Sequence, residues 1–151
     1  MSLLELPDDL NSLTYRINRI AIDVQRELGV GLLEKANEAI LADELRHQGL
    51  QVLQQVPVPV VFRGRLIPKA FRLDMLVEER VVIELKSVAK ILPVHRAQLL
   101  TYLRLTGKPV GLVLNFGEIP LGKRRVVHDD LLSAPSVDSA SPRAAAQAHE
   151  E

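Results

Sequence analysis

The sequence predicts one α/β domain of α+β-like character. Three observations carry that expectation. A chain of 151 residues with 47% hydrophobic and 25% charged positions can bury one real core, but not two comfortable ones. The residues before Gly49 repeat their apolar side chains at helical spacing, and those after it alternate at the period of strands. One further helical segment interrupts the strands.

Leu10, Leu13, Ile17, Ile20, Ala21, Val24 and Leu28 recur by threes and fours, which sets them on one face of an amphipathic helix ending at Gly29. A second helical pattern runs from about Leu32 to Gln48, with Leu33, Ala36, Ile40, Leu41 and Leu45 at helical spacing and Gly49 closing it. From Leu50 to Phe62 the period becomes two, with Val52, Gln54, Val56, Val58 and Val60 on one face. Pro57 and Pro59 confine that strand to a sheet edge or an irregular stretch. Arg63-Gly64-Arg65 makes a turn. Phe71 to Val77 and Val81 to Lys86, joined by Glu78-Glu79-Arg80, read as an antiparallel hairpin. Pro93 to Thr106 reads as a helix with proline in its first turn and Gly107 at its end. Val110 to Phe116 is apolar enough for the middle of a sheet, and Lys123 to His128 supplies a fifth strand. The domain is expected over residues 1–131. Residues 132–151, rich in Ala, Ser and Pro, carry no apolar period and are expected to form a tail with little fixed structure.

With no cysteine, the chain has no disulfide scaffold, no thiolate zinc site and no cysteine nucleophile, which fits a reducing compartment. Glu5, Asp8 and Asp9 stand where a secretory signal needs basic residues, and no stretch reaches the roughly 20 apolar residues of a membrane-spanning helix. A cytoplasmic protein with no membrane partner is expected. Formal net charge is zero, yet residues 1–60 carry 5 basic and 9 acidic side chains, residues 61–125 carry 13 and 5, and residues 126–151 carry 1 and 5. Because screening confines each charge to roughly 10 Å, a local excess of that size can bind phosphates on a neutral molecule. Two tyrosines, three phenylalanines and no tryptophan are too few for a platform that stacks single-stranded bases.

Asp74, Glu84 and Lys86 sit inside strands that are otherwise strongly apolar. If the hairpin turn centres near Glu79, residues pair when their numbers sum to 158. Asp74 then lies opposite Glu84 on the same face, Cβ atoms roughly 5 Å apart. Lys86, two residues beyond Glu84, returns to that face about 7 Å along the strand. Opposed carboxylates repel and are costly to desolvate while ionised. Two arrangements relieve the conflict: a divalent cation between them, or Lys86 bridging both as an ion triad. Oxygen ligands suit Mg²⁺ or Mn²⁺ better than zinc, and a metal-held water could then serve as nucleophile while Lys86 orients or deprotonates it.

Seven blocks in order carry a resemblance over about Ile20 to Val127: Gly31-Leu-Leu-Glu34, Glu44-Leu45 with Gly49-Leu50, Gln55-Val-Pro57-Val58, Asp74-Met-Leu-Val77, Ile83-Glu84-Leu-Lys86, Gln98-Leu-Leu-Thr-Tyr102-Leu103 and Gly111-Leu-Val-Leu-Asn115-Phe116-Gly117. They resemble the GxxExxY proteins of the PD-(D/E)XK nuclease-like superfamily. The resemblance implies a restriction-endonuclease-like core, a central mixed β-sheet flanked by helices. It also implies Asp74 and Glu84 as metal ligands, Glu34 as a supplementary helix carboxylate and Lys86 as the catalytic lysine. Glu38, one turn beyond Glu34, reads as an ordinary surface charge. Gln98 and Tyr102 share a helix face and resemble a QxxxY element beside such a site, where they would position the scissile phosphate; His95 reads as a surface residue. Asn37 stands where the family's eponymous tyrosine is expected.

The function expected is a Mg²⁺- or Mn²⁺-dependent nuclease acting on nucleic acid, DNA in the first place. Arg63, Arg65, Lys69, Lys90 and Arg96 are candidates for backbone contacts. The alternative is a non-catalytic binding or assembly module on the same fold. The apolar first helix and the edge-prone strand also leave surface that a homodimer could hide.

Overall fold

A computed structural model describes residues 6–129. The tail expected over residues 132–151 lies outside them. Eight elements follow in the order α1 (Asp8–Leu28), α2 (Glu34–His47), β1 (Val52–Phe62), β2 (Arg65–Val77), β3 (Val81–Lys86), α3 (Pro93–Thr106), β4 (Val110–Asn115) and β5 (Gly122–Val127). Asp8 and Asp9 in the first turn of α1 and Arg26 in its last complement the helix dipole. Pro93 opens α3, where the Leu92 amide donates to His95 Nδ1 at 3.0 Å, so His95 closes a helix end.

The sheet runs β1-β2-β3-β4-β5. Only β3 and β4 are parallel, and α3 makes the crossover that a parallel pair requires. This is the mixed sheet flanked by helices that the resemblance implied. Along β3, alternate residues serve two cores. Val81, Ile83 and Leu85 pack with α1 and α2, whereas Val82 packs with Leu99, Tyr102 and Leu103 of α3. Burial on both faces explains why β3 and β4 read as continuous apolar runs.

Four expectations change. Strand β2 begins at Arg65, six residues before Phe71, because Arg63 and Gly64, both with positive φ, form a two-residue turn that pairs Phe62 with Arg65 immediately. Strand β1 does not keep one face. Gln55 has φ 52°, and the break lets Val52 join the α1/α2 core while Val56 and Val58 pack with α3. Leu33 precedes α2 and is exposed, as is Ile40, so that helix buries Asn37, Glu38, Leu41, Ala42 and Leu45. Finally, the apolar face of α1 packs into the core, while Tyr15 and Leu28 of that helix are exposed. The outer side of β1 remains an open edge, interrupted by Pro57 and Pro59.

The segment after β3 is held by a buried node. Asn115, fully buried and paired in register with Lys86, accepts from the amides of Val88 (3.0 Å) and Gly117 (3.1 Å) and donates to the Val88 carbonyl (2.9 Å) and Glu118 Oε2 (2.6 Å). Gly117 lies against the same loop, where an added Cβ would stand 2.2 Å from the Val88 carbonyl oxygen. Gly117→Ala should therefore cost at least about 2 kcal/mol, since backbone rather than a pliable side chain must move. Urea unfolding monitored by circular dichroism reads that loss directly.

Candidate metal and phosphodiester site

The β2–β3 register is Met75↔Ile83, Leu76↔Val82 and Val77↔Val81, so paired residues sum to 158. The backbone ladder stops there. At the next position the two carboxylates take over its hydrogen bonds. Asp74 Oδ2 accepts from the Leu85 amide at 2.8 Å, and Glu84 Oε2 accepts from the Asp74 amide at 3.2 Å. Each acid thus spends one oxygen on the opposite strand, and the other oxygen makes no hydrogen bond among the described residues.

Burial decides the electrostatics. Glu84 is 6% exposed, and desolvation, followed by the Asp74 charge, pushes its carboxyl up to about 8. Desolvation likewise raises Asp74 to about 6, with the charges of Glu38 and Glu34 adding to it. The backbone hydrogen bonds and Lys86 oppose both shifts without cancelling them. Lys86 is half-buried at the end of β3, and no ion pair ties it to either acid. The closed ion triad is therefore not formed.

The remaining candidates fall in different places. Tyr102 is buried against Phe71, ring centroids 5.5 Å apart and edge-on, and burial together with the charges of Glu84 and Asp74 raises its hydroxyl. Tyr102 thus keeps its proton within the field of the two acids. Gln98, one turn earlier on α3, is exposed. Glu34 is the first residue of α2 and exposed, reaching the acids through its field rather than by contact.

Glu38 is not the surface charge its sequence position suggested. It is 9% exposed, and its carboxylate accepts from Gln54 Nε2 (3.0 Å) and Gln55 Nε2 (2.7 Å). The left-handed Gln55 lies opposite Asp74 on the neighbouring strand, so this clamp adjoins the acid pair. The paired glutamines before Pro57 were the available sequence signal, but their partner is set by how α2 crosses β1. Asn37, in place of the expected tyrosine, donates to Ser87 Oγ at 3.2 Å, beside Lys86. It is 2% exposed, and its Oδ1 has no hydrogen-bond partner.

These residues fit a hard divalent cation. Asp74 and Glu84 each retain an oxygen, burial leaves both costly to ionise without a counterion, and the orphaned Asn37 Oδ1 is an acceptor suited to water. Among the described residues no three acidic or histidine side chains converge into a ready-made cage. Two carboxylates supplemented by water and a substrate oxygen match the habit of Mg²⁺, which dehydrates reluctantly. A separate concavity of about 550 Å³ between α1 and β5, with Lys123, Arg124 and Arg125 in its lining, contains neither acid. Its lining is cationic and offers no carboxylate.

No curated protein matches the chain. Among solved structures, one titled "Crystal structure of SSO0001" is similar in fold, with a TM-score of 0.50 at 15% identity, covering 71% of this chain and 55% of that one. The chain thus spans about half the length of that structure. A family model described as the PD-(D/E)XK nuclease superfamily matches residues 11–126, which take in all eight elements apart from the first three residues of α1 and the last of β5. With the acid pair and Glu-x-Lys lying inside that match, the chain belongs to the PD-(D/E)XK nuclease superfamily.

Proposed function

We propose that this protein is a divalent-metal-dependent nuclease that hydrolyses phosphodiester bonds of nucleic acid, DNA in the first place, and that it belongs to the GxxExxY branch of its superfamily. The observation that carries the reading is the splayed end of β2 and β3, where Asp74 and Glu84 meet in a poorly solvated place with Lys86 two residues on. Asp74 and Glu84 would hold Mg²⁺ or Mn²⁺, and Glu34 biases the site toward cations from the helix. When bound, the cation supplies charge neutralisation for the phosphate and an acidified water. Lys86 would orient the attacking water or, in its neutral form, take its proton, and the resulting ammonium would stabilise charge on the phosphoryl oxygens. The Tyr102 hydroxyl donates to a phosphate oxygen, and Gln98, at the exposed mouth of the same helix face, steadies the strand being cut. Lys90 and Arg96, exposed on either side of the start of α3, add phosphate contacts.

Calorimetric titration with Mn²⁺ tests the metal half of this reading, and incubation of DNA and RNA with Mg²⁺ or Mn²⁺ tests the other. Binding by the parent that is lost in Asp74→Ala, together with metal-dependent cleavage, is the expected result. A parent that binds no Mn²⁺ and leaves both polymers intact would instead be an assembly module on a nuclease-like core, an outcome that Asn37 in place of a phenol favours.

A further inference from the structure

The β1–β2 hairpin continues well past the site. Strand β3 pairs only with Met75, Leu76 and Val77 of β2, whereas β1 stays paired with β2 as far as Phe62↔Arg65. From Gln55, opposite Asp74, to Phe62 is seven residues, or roughly 20 Å of two-stranded ribbon. Val58, Phe71 and Leu73 tie its base to α3, but every residue from Phe62 to Ala70 is exposed.

The chemistry of this ribbon is one-sided. Leu45 to Leu73 contains no acidic residue, while the outer half of the ribbon carries Arg63, Arg65 and Lys69. Phe62, Leu66 and Ile67 are 48%, 64% and 44% exposed beside them, an apolar cost that a solvated hairpin has no reason to bear. The guanidinium carbons of Arg63 and Arg65 stand 5.1 and 6.0 Å from the Phe62 ring centre, which gathers both cations at the tip. A two-stranded ribbon fits the roughly 12 Å major groove of a duplex, where cationic side chains reach the phosphates on either wall.

We propose that the β1–β2 ribbon is an arm that lies in the major groove of duplex DNA and grips it roughly six base pairs to one side of the scissile phosphate. The inference rests on the reading of the acid pair as a nuclease site, which sets where the arm's base meets the DNA. The arm itself has only to bind. Phosphate contacts come from Arg63, Arg65 and Lys69, and Phe62 presses on base edges at the tip.

Fluorescence anisotropy of a labelled duplex about three helical turns long, recorded in EDTA over a series of salt concentrations, tests it. Arg63→Gln/Arg65→Gln/Lys69→Gln should weaken binding at least tenfold and flatten the log–log salt dependence by roughly 2 to 3, because each lost phosphate contact removes about 0.9 from the slope. Its melting temperature should match the parent's, since these side chains are exposed. Shortening the duplex should weaken parent binding more than variant binding. Parent-like affinity and slope in the triple variant would overturn the proposal, as would a parent that binds no duplex, or a loss that instead follows Lys123→Gln/Arg124→Gln. Two further outcomes would replace the occupant: retention by phosphatidylserine vesicles that only the ribbon variant loses, or a dimer by sedimentation that it alone dissolves. Because the titration is metal-free, it reads binding apart from cleavage: a protein that binds through the ribbon yet cuts nothing once Mg²⁺ or Mn²⁺ is supplied would sink the nuclease reading and leave the arm standing.

Discussion

Lys86→Met should reduce DNA hydrolysis by about 10²- to 10⁴-fold while leaving Mn²⁺ binding, duplex binding and the melting temperature near parental values. Methionine keeps the unbranched stem that packs at the end of β3 and removes only the ammonium group, which is half-buried and bridges no carboxylate. The backbone around it stays fixed by other means. The Lys86 carbonyl accepts from Phe116 at 2.8 Å, and Asn115 locks the following loop through Val88. Asp74→Asn should give the same loss of cleavage together with loss of Mn²⁺ binding. The contrast separates a residue that handles the water from one that holds the cation. If Lys86→Met cleaves at the parental rate, the lysine has no part in the chemistry; if it unfolds, the ammonium was structural.

Without divalent metal, stability should peak near pH 5 and fall steadily toward pH 9. The sign follows from which state holds the proton more tightly. Asp74 and Glu84 are raised in the folded chain to about 6 and about 8, from 3.8 and 4.5, so the folded state keeps protons that the unfolded state releases. Their favourable contribution is complete below about pH 4 and is lost as pH rises through 6 and then 8. Asp9, Glu118 and Asp129 act in the opposite sense. Hydrogen bonds from Arg80, Asn115 and Arg104 respectively hold them low, and that stability disappears only as pH falls through the acid range. Between the two regimes lies the maximum. The alkaline loss is of the order of a few kcal/mol, which at this chain length is roughly 5–10 °C in Tm. Glu84→Gln should flatten the alkaline limb, and saturating Mg²⁺, by stabilising the ionised pair, should restore the parent there. Differential scanning calorimetry across the range decides the matter: a Tm that is level or rising from pH 5 to 9 would mean that the acids are better solvated than their burial indicates.

The site was partly legible before any coordinates. Asp74 and Glu84 announce themselves as charges in apolar strands, but their register rests on an assumed turn centre near Glu79, which the observed pairing has. Glu38 was not legible. A carboxylate on an amphipathic helix is usually solvated, and only the crossing of α2 over Gln54 and Gln55 buries this one. The same holds for Asn115, whose polar side chain ends an apolar strand and acquires its four partners from the loops on either side. The length of the ribbon is not legible in the sequence, because Pro68 and Lys69 break the apolar alternation, whereas the pairing with β1 continues regardless.

The sequence by itself determined what is local: three helices from apolar spacing, and five strands from alternation, apolar runs and turn residues. Only the tertiary structure decided what depends on segments far apart in the chain. It chose which face each strand residue buries, turned Gln55 toward Glu38, held the loop after Lys86 and drew the β1–β2 ribbon out past the sheet. The physical reason is that spacing along a chain fixes the direction of a side chain relative to its own element. Its partner and its exposure to water are fixed by the element that packs against it.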